Sequence, residues 1–490
     1  MTTVAPQTES VPAERSLKKR ALLATGFSVG GQVASQALRM LSNVILSRLL
    51  FPEAFGLVAI VRMLNIGLQM ISDVGVRSAI IRSQRGEDKR FLDTAWTLKV
   101  LRGLLLSLTG ALLAFPVAAF YETPALIPLV AVSALSPLLL GLQSNGIDLL
   151  MRDMKTGRLS AIDLAAQIAS LGVTIGIAYA YRSVWALVLG GLAMTATRSV
   201  LSYTATAGPH SRFGWDREAA REIVSLGKWI ILSTLITFLA MRLDVMALGK
   251  LVSLDTLGVY SIALTIAGVA PLLMGQIIGT VLLPALSESH RAGPETLARN
   301  FQMVLETLLP AALVLVLATA CAAPAFFVYL YEARYHDAGW MVQLSMLALW
   351  FQLLQQISSR AMLALGDSRG LAMSNGVKLL VGASGLAAGF ALAGLPGLIL
   401  GMAAGALAGH MAVAWRLKED HGLPSGRIAA LYSLGGLVAG VFACAAPHWL
   451  VARLGFDADL VPLVTLGVGA LTIAPLTLMV LRRVRAGVAG

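Results

Sequence analysis

Cysteine and charge are both scarce in this chain. Of 490 residues only two are cysteine, Cys321 and Cys444. Each lies in an apolar run, so neither a disulfide framework nor a thiolate metal site is expected. Asp, Glu, Lys and Arg together make up 13% of the sequence, against about 25% in an average soluble protein, which excludes a soluble enzyme with a single anchor. Catalytic signatures are also missing. There is no Walker A loop, GxSxG, HExxH or Cys/His cluster, so the chain is not itself a P-loop ATPase, a hydrolase of the nucleophile-elbow type or a zincin. The six histidines are scattered. No catalytic group, metal ligand or bound cofactor is expected.

What is present is apolar sequence, 57% of the chain. A span needs roughly 20 mostly apolar residues, and about fourteen such segments can be counted, centred near residues 35, 68, 108, 135, 171, 194, 235, 270, 317, 350, 384, 405, 440 and 470. The fold class expected is an all-α polytopic membrane protein. The net charge of +12 would raise nucleic acid as a partner in a soluble chain. Here the loops account for it. With the N-terminus placed inside, the outer face carries only Arg48, Arg182, Lys250, Arg334 and Arg453, and most other cations fall in loops on the cytoplasmic side. That is the positive-inside bias. It predicts both termini in the cytoplasm and no nucleic-acid partner. Residues 1–20 are polar and the first apolar run is too long for a signal h-region, so no cleaved signal peptide is expected.

The chain repeats itself. Ser47-Arg-Leu-Leu-Phe-Pro-Glu-Ala-Phe-Gly-Leu57 aligns with Gly249-Lys-Leu-Val-Ser-Leu-Asp-Thr-Leu-Gly-Val259, pairing Arg48 with Lys250, Glu53 with Asp255 and Gly56 with Gly258. Six spans per unit give halves of the same orientation, the parallel-repeat plan of many transporters, with the binding site between the halves. The boundaries expected are a cytoplasmic tail over 1–20, an N-lobe over 21–206 and a cytoplasmic linker over 207–220. A C-lobe over 221–418 and two appended spans over 425–484 complete the chain.

Seven cations fall inside expected spans: Arg39, Arg62, Lys99, Arg102, Lys228, Arg242 and Lys378. A cation near the bilayer centre costs about 2.5–3.5 kcal/mol on insertion scales, so such residues face a bundle interior or a wet path. Two spans carry them on polar stripes. Gln32, Gln36, Arg39 and Asn43 share one helical face, as do Arg62, Asn65, Gln69 and Asp73. Arg39, Arg62, Arg242 and Lys378 with Gln32, Gln36, Asn43, Asn65 and Gln69 are the candidate cavity set for an anionic, hydroxyl-rich substrate. Lys99 and Arg102, three apart, either flank an anion or snorkel at the interface, and Lys228 reads as an interface anchor. The intramembrane acids Asp73, Asp163, Asp244 and Glu306 either neutralise nearby arginines or carry a coupling proton or sodium ion.

Several motifs in order resemble a known family. Leu46-Ser-Arg-Leu-Leu-Phe-Pro-Glu-Ala-Phe-Gly56, Asp73-Val-Gly75 with Ile80-Ile81-Arg82, Met241-Arg-Leu-Asp244, Leu257-Gly-Val-Tyr260 and Leu283-Pro-Ala-Leu-Ser287 look like the polysaccharide transporter family. That family belongs to the multidrug/oligosaccharidyl-lipid/polysaccharide exporter superfamily. The resemblance implies two six-helix lobes plus two helices in the bacterial inner membrane. It also implies a flippase for undecaprenyl-pyrophosphate-linked repeat units in O-antigen, capsule or exopolysaccharide assembly. Partners would be that lipid-linked glycan, membrane lipids, a polysaccharide polymerase and a chain-length regulator. Two alternatives from the same superfamily are a cation-coupled multidrug exporter, against which the cavity cations argue, and a peptidoglycan lipid-precursor flippase. A membrane polysaccharide polymerase is less favoured, because no outer loop is large enough to carry catalytic groups.

Overall fold

A chain that hides its backbone from lipid must satisfy every peptide group within its own helices, and this one is helical throughout its described length. The computed structural model describes residues 11–72, 75–83, 85–153, 155–204, 211–423, 426–454 and 457–489. Asp73 lies outside them, as does the Lys228 side chain. The helices are Val11–Leu49 (α1), Pro52–Ile71 (α2), Val76–Arg82 (α3), Lys89–Phe120 (α4), Leu126–Ser133 (α5), Leu135–Gly141 (α6), Gly146–Arg152 (α7), Thr156–Tyr181 (α8) and Trp185–Thr204 (α9). The second half continues with Arg217–Leu251 (α10), Leu254–Ala267 (α11), Val269–Ile277 (α12), Leu283–Arg291 (α13), Pro294–Leu330 (α14), Ala338–Ala364 (α15), Ser368–His421 (α16), Gly426–Leu454 (α17) and Val461–Ala489 (α18).

Local sequence explains where these begin and break. Asp88, Asp216, Ser253 and Asp367 are side-chain N-caps of α4, α10, α11 and α16, each accepting from a backbone N–H in the first turn. Pro52 and Pro294 open α2 and α14, where a missing N–H costs nothing. The long α16 is two helices back to back, since Ala393 and Gly394 leave helical geometry and Gly394 sits at φ 61°. The halves close as a hairpin on glycine. A Cβ at Gly397 would stand 2.0 Å from the Gly389 carbonyl oxygen, and one at Gly401 2.0 Å from that of Gly385. Small residues let membrane helices approach backbone to backbone.

Among the described residues nine helices are long and apolar enough to cross a membrane. The number is ten if α5–α6 and α7, bent by 60°, form one span. That is fewer than the fourteen expected. α1 and α15 are long but interrupted by polar side chains, part of α10 lies outside the residues searched, and α16 merges the two segments centred near 384 and 405. The coarser expectation, an all-α polytopic membrane protein, holds.

The repeated segment packs on its own copy. α2 crosses α11 at the paired glycines. A Cβ on Gly56 would lie 2.1 Å from the Leu254 carbonyl oxygen, and one on Gly258 1.8 Å from that of Pro52. At the same crossing the Glu53 N–H donates to Asp255 Oδ1 at 3.1 Å. Around it lies the main core, whose aromatic members Phe55, Phe327, Tyr331 and Tyr335 meet edge to face or tilted. At the other end, residues 212–216 do not hang as a plain linker. The backbone N–H groups of Arg212, Gly214 and Asp216 donate to Asp93, Thr97 and Thr94 of α4.

Candidate functional site

The stripe on α1 divides between bonding and exposure. Gln36 is buried and donates from Nε2 to the Thr265 carbonyl on α11 at 3.4 Å. Ser35 and the buried Gln167 tie α1 to α8 through side-chain and backbone bonds. Gln32 and Asn43 are half-buried. Arg39 is exposed, and so is Arg62 on α2, yet the two guanidiniums are close enough to repel each other. Two mid-helix arginines whose charges face each other call for water or an anion between α1 and α2.

The α2 stripe does not stay together. Below Arg62, Asn65 donates to the Ser133 hydroxyl at 3.0 Å and to its own helix at Val61. Its role is an interhelical tie of the kind worth about 0.6 kcal/mol on average. Gln69, one turn further, is half-buried, and its carbonyl accepts from Arg102 Nη2 at 2.7 Å.

From the second half, α10 packs on both α2 and α16. It brings Arg242 and Asp244, and α16 brings Lys378. Arg242 and Lys378 are half-buried and both feel the Asp244 charge. Asp244 is buried, its Oδ2 accepts from the Tyr260 hydroxyl at 3.0 Å, and its Oδ1 meets no donor among the described residues. None of Arg39, Arg62, Arg242 and Lys378 forms an ion pair among the described residues, whereas Lys99, Arg198, Lys250, Arg334 and Arg416 do. Arg39 with Arg62, and Arg242 with Lys378 beside one carboxylate, each leave local positive charge of the kind suited to phosphate oxygens.

The remaining candidates lie elsewhere. Asp163 pairs with Arg198 at 2.8 Å, a counter-ion arrangement. Glu306 accepts from Gln302, one turn back on α14, at 2.9 Å, and Asp73 is outside the described residues. Lys99 and Arg102 separate. Lys99 Nζ donates to Asp148 Oδ2 and Asn145 Oδ1, both at 3.1 Å, while Arg102 bonds the Ser72 hydroxyl at 3.1 Å. Asp148 was not anticipated. Its signal is an acid set among Ile147, Leu149 and Leu150, a pattern that requires a buried partner.

One end of the assembly is sealed, the end that loop charge assigns outward. Lys250 pairs with Glu122 at 2.5 Å and holds that carboxyl below the ordinary range. Arg334 stacks 4.7 Å over Phe51 and donates to the Ser47 carbonyl, and the Tyr335 hydroxyl donates to that of Leu50 at 2.9 Å. These bonds join the first half to the second half.

Residues 45–339 match the family described as "Polysaccharide biosynthesis protein". Lipopolysaccharide biosynthesis protein WzxC of Escherichia coli (strain K12) is 23% identical over 295 residues, 60% of this chain and 59% of that protein. Teichuronic acid biosynthesis protein TuaB of Bacillus subtilis (strain 168) is 21% identical over 222 residues, 45% of this chain and 46% of its own. The chain thus spans roughly half to three-fifths of the curated relatives it matches. Among solved structures, the lipid II flippase MurJ in an inward closed conformation superposes with TM-score 0.71 at 13% identity, covering 94% of this chain and 99% of that one. An inward-facing multidrug resistance MATE family transporter of the MOP superfamily gives 0.60 at 16% identity, covering 82% and 98%. At such identities the likeness is one of fold. The family match covers more than half of the sequence, and the chain accordingly belongs to the polysaccharide biosynthesis protein family, with an all-helical fold that has many helices long and apolar enough to cross a membrane.

Proposed function

We propose that this chain flips a lipid-linked, pyrophosphate-bearing glycan across the inner membrane by alternating access. The observation that carries the reading is the like-charged pair Arg39 and Arg62 between α1 and α2, together with Arg242 and Lys378 about Asp244 in the second half. Guanidinium groups match phosphate oxygens in geometry and charge, and a cationic drug would be repelled there. Gln32 and Asn43 supply polar contacts for sugar hydroxyls, and the lipid tail stays in the bilayer. Asp244, buried beside two cations, is the candidate coupling or counter-ion group.

The architecture proposed is fourteen spans. α1, α2, α4, the α5–α7 segment, α8 and α9 make an N-lobe over 21–206. α10, α11–α12, α14, α15 and the two halves of α16 make a C-lobe over 221–418, and α17 and α18 are appended. The contact of α2 with α11 at repeat-related glycines supports a pseudo-axis through the outer seal.

Two substrate classes compete. Fold likeness across nearly the whole chain to a lipid II flippase favours a peptidoglycan-precursor type of lipid over the O-antigen, capsule or exopolysaccharide reading. The second reading, a polysaccharide repeat-unit flippase, is supported by the names of the sequence relatives WzxC and TuaB. A deletion strain separates them: loss of viability marks the first, and viable cells lacking a surface polysaccharide mark the second.

The cavity is tested by replacing Arg39 and Arg62 together with alanine. Each charge-assisted bond to phosphate is worth about 1.5–3 kcal/mol, so the double variant is expected to stop export and strand lipid-linked glycan on the cytoplasmic leaflet. Its membrane level stays that of wild type. Normal export from correctly inserted double variant would overturn the assignment.

A further inference from the structure

Apart from the arginine gap, the first half of the chain contains a second polar cavity, of about 430 Å³. It opens among α2, α3, α4, α6, α7 and α9, at the end that loop charge assigns to the cytoplasm. Its volume falls within the usual range of small-ligand sites, about 300–1,000 Å³. Arg77, Lys99, Arg102 and Arg198 line it, and Asp148 is the carboxylate among its lining residues. Asp148 is nearly enclosed, with its side chain 4% exposed, and serves two cations at once: Arg77 Nε on Oδ1 and Lys99 Nζ on Oδ2, both at 3.1 Å. Asp163 pairs with the lining Arg198 at 2.8 Å and its charge also reaches Arg77, so Asp148 and Asp163 together face Arg77, Lys99 and Arg198, and the Arg77 side chain at the mouth is 55% exposed. Leu106 and Leu140 add apolar surface to the lining. Buried or half-buried like charges persist only where an anion or water relieves them.

We propose that this cavity is a second anion site, which takes a phosphate group of an amphiphile on the cytoplasmic side. Arg77 and Lys99 contact the phosphate oxygens at the mouth, and Leu106 and Leu140 receive the adjoining carbon chain. Two sources share this chemistry, the phosphate of an anionic membrane lipid and the diphosphate of a lipid-linked glycan waiting to enter the gap. Asp148 holds the empty site together and competes with the ligand for the same two cations. Two substitutions therefore act in opposite directions. Arg77→Gln removes a ligand contact, whereas Asp148→Asn removes the competitor.

The test uses full-length protein carrying Arg39→Ala and Arg62→Ala, which weakens binding in the central gap, and the Arg77 and Asp148 substitutions then report on this cavity alone. It is held in nanodiscs of zwitterionic lipid and titrated calorimetrically with inorganic pyrophosphate. Saturable binding is expected, about tenfold weaker with Arg77→Gln, as the loss of one charge-assisted bond predicts, and several-fold tighter with Asp148→Asn. Nanodiscs containing phosphatidylglycerol then identify the source. Competition with pyrophosphate assigns the site to a membrane lipid, and undiminished binding assigns it to the glycan diphosphate. If Asp148→Asn fails to fold, Arg77→Gln and Arg77→Lys still decide, with lysine expected to retain most of the affinity. No saturable binding, or binding indifferent to Arg77, would overturn the proposal and leave the reading of the central gap untouched.

Discussion

At the scale of single residues, charges outside the lipid do structural work that pH exposes. Asp216 caps α10. The Glu218 N–H and the Arg85 guanidinium, at 2.8 Å, hold its carboxyl below the ordinary range. A carboxyl depressed in the folded state stabilises fully above its unfolded pKa, and the stabilisation is lost as pH falls through the folded value. Asp216→Ala is expected to lower the melting temperature at neutral pH, with the gap to wild type narrowing as the solution becomes acidic. Melting curves in detergent at several pH values measure this, and a gap independent of pH would refute the pairing. Sequence spacing could place Arg39 and Arg62 on polar stripes because helical period alone fixes which residues share a face. It could not separate Lys99 from Arg102. Their fates depend on Asp148 and Ser72, partners 49 and 30 residues away, and no local pattern specifies such distances.

At the scale of helices, the crossing of α2 and α11 is made of backbone. Because Gly56 and Gly258 each face a carbonyl of the other segment, a methyl on either must push the helices apart. Overpacking of this kind costs about 1–3 kcal/mol. Gly56→Ala and Gly258→Ala should each destabilise by that order, and the double variant by less than their sum, since the first separation already makes room for the second methyl. A double-mutant cycle from thermal or denaturant unfolding checks it, and simple additivity would show that the two glycines do not share one contact. The repeat was legible in sequence through these glycines and their acidic neighbours. That the two copies would touch was not, because alignment gives correspondence and not proximity. The helix breaks were only partly legible. The break at Gly394 was legible as a boundary between the segments centred near 384 and 405, with Pro396 two residues on, whereas the close glycine packing of the two halves was not.

For the whole molecule, the proposed cycle demands that the outer seal and the arginine gap never open to both sides together. Glu53 and Asp255 lie across the seal, one on each repeat, and a bond of 3.1 Å already joins their residues. A cysteine at each position, in a chain whose own Cys321 and Cys444 are replaced by alanine, places two thiols across the interface. A reversible thiosulfonate cross-linker should then trap the outward-sealed state. Opening outward separates repeat-related segments that the link holds together, so a rigid bundle divided into two rocking halves has no other route to release. Export of lipid-linked glycan is expected to stop on cross-linking and to recover with reductant, while each single-cysteine protein treated in the same way continues to export. Undiminished export by fully cross-linked protein would mean that the α2–α11 crossing stays shut throughout the cycle. The route outward would then have to lie elsewhere than between the two repeats.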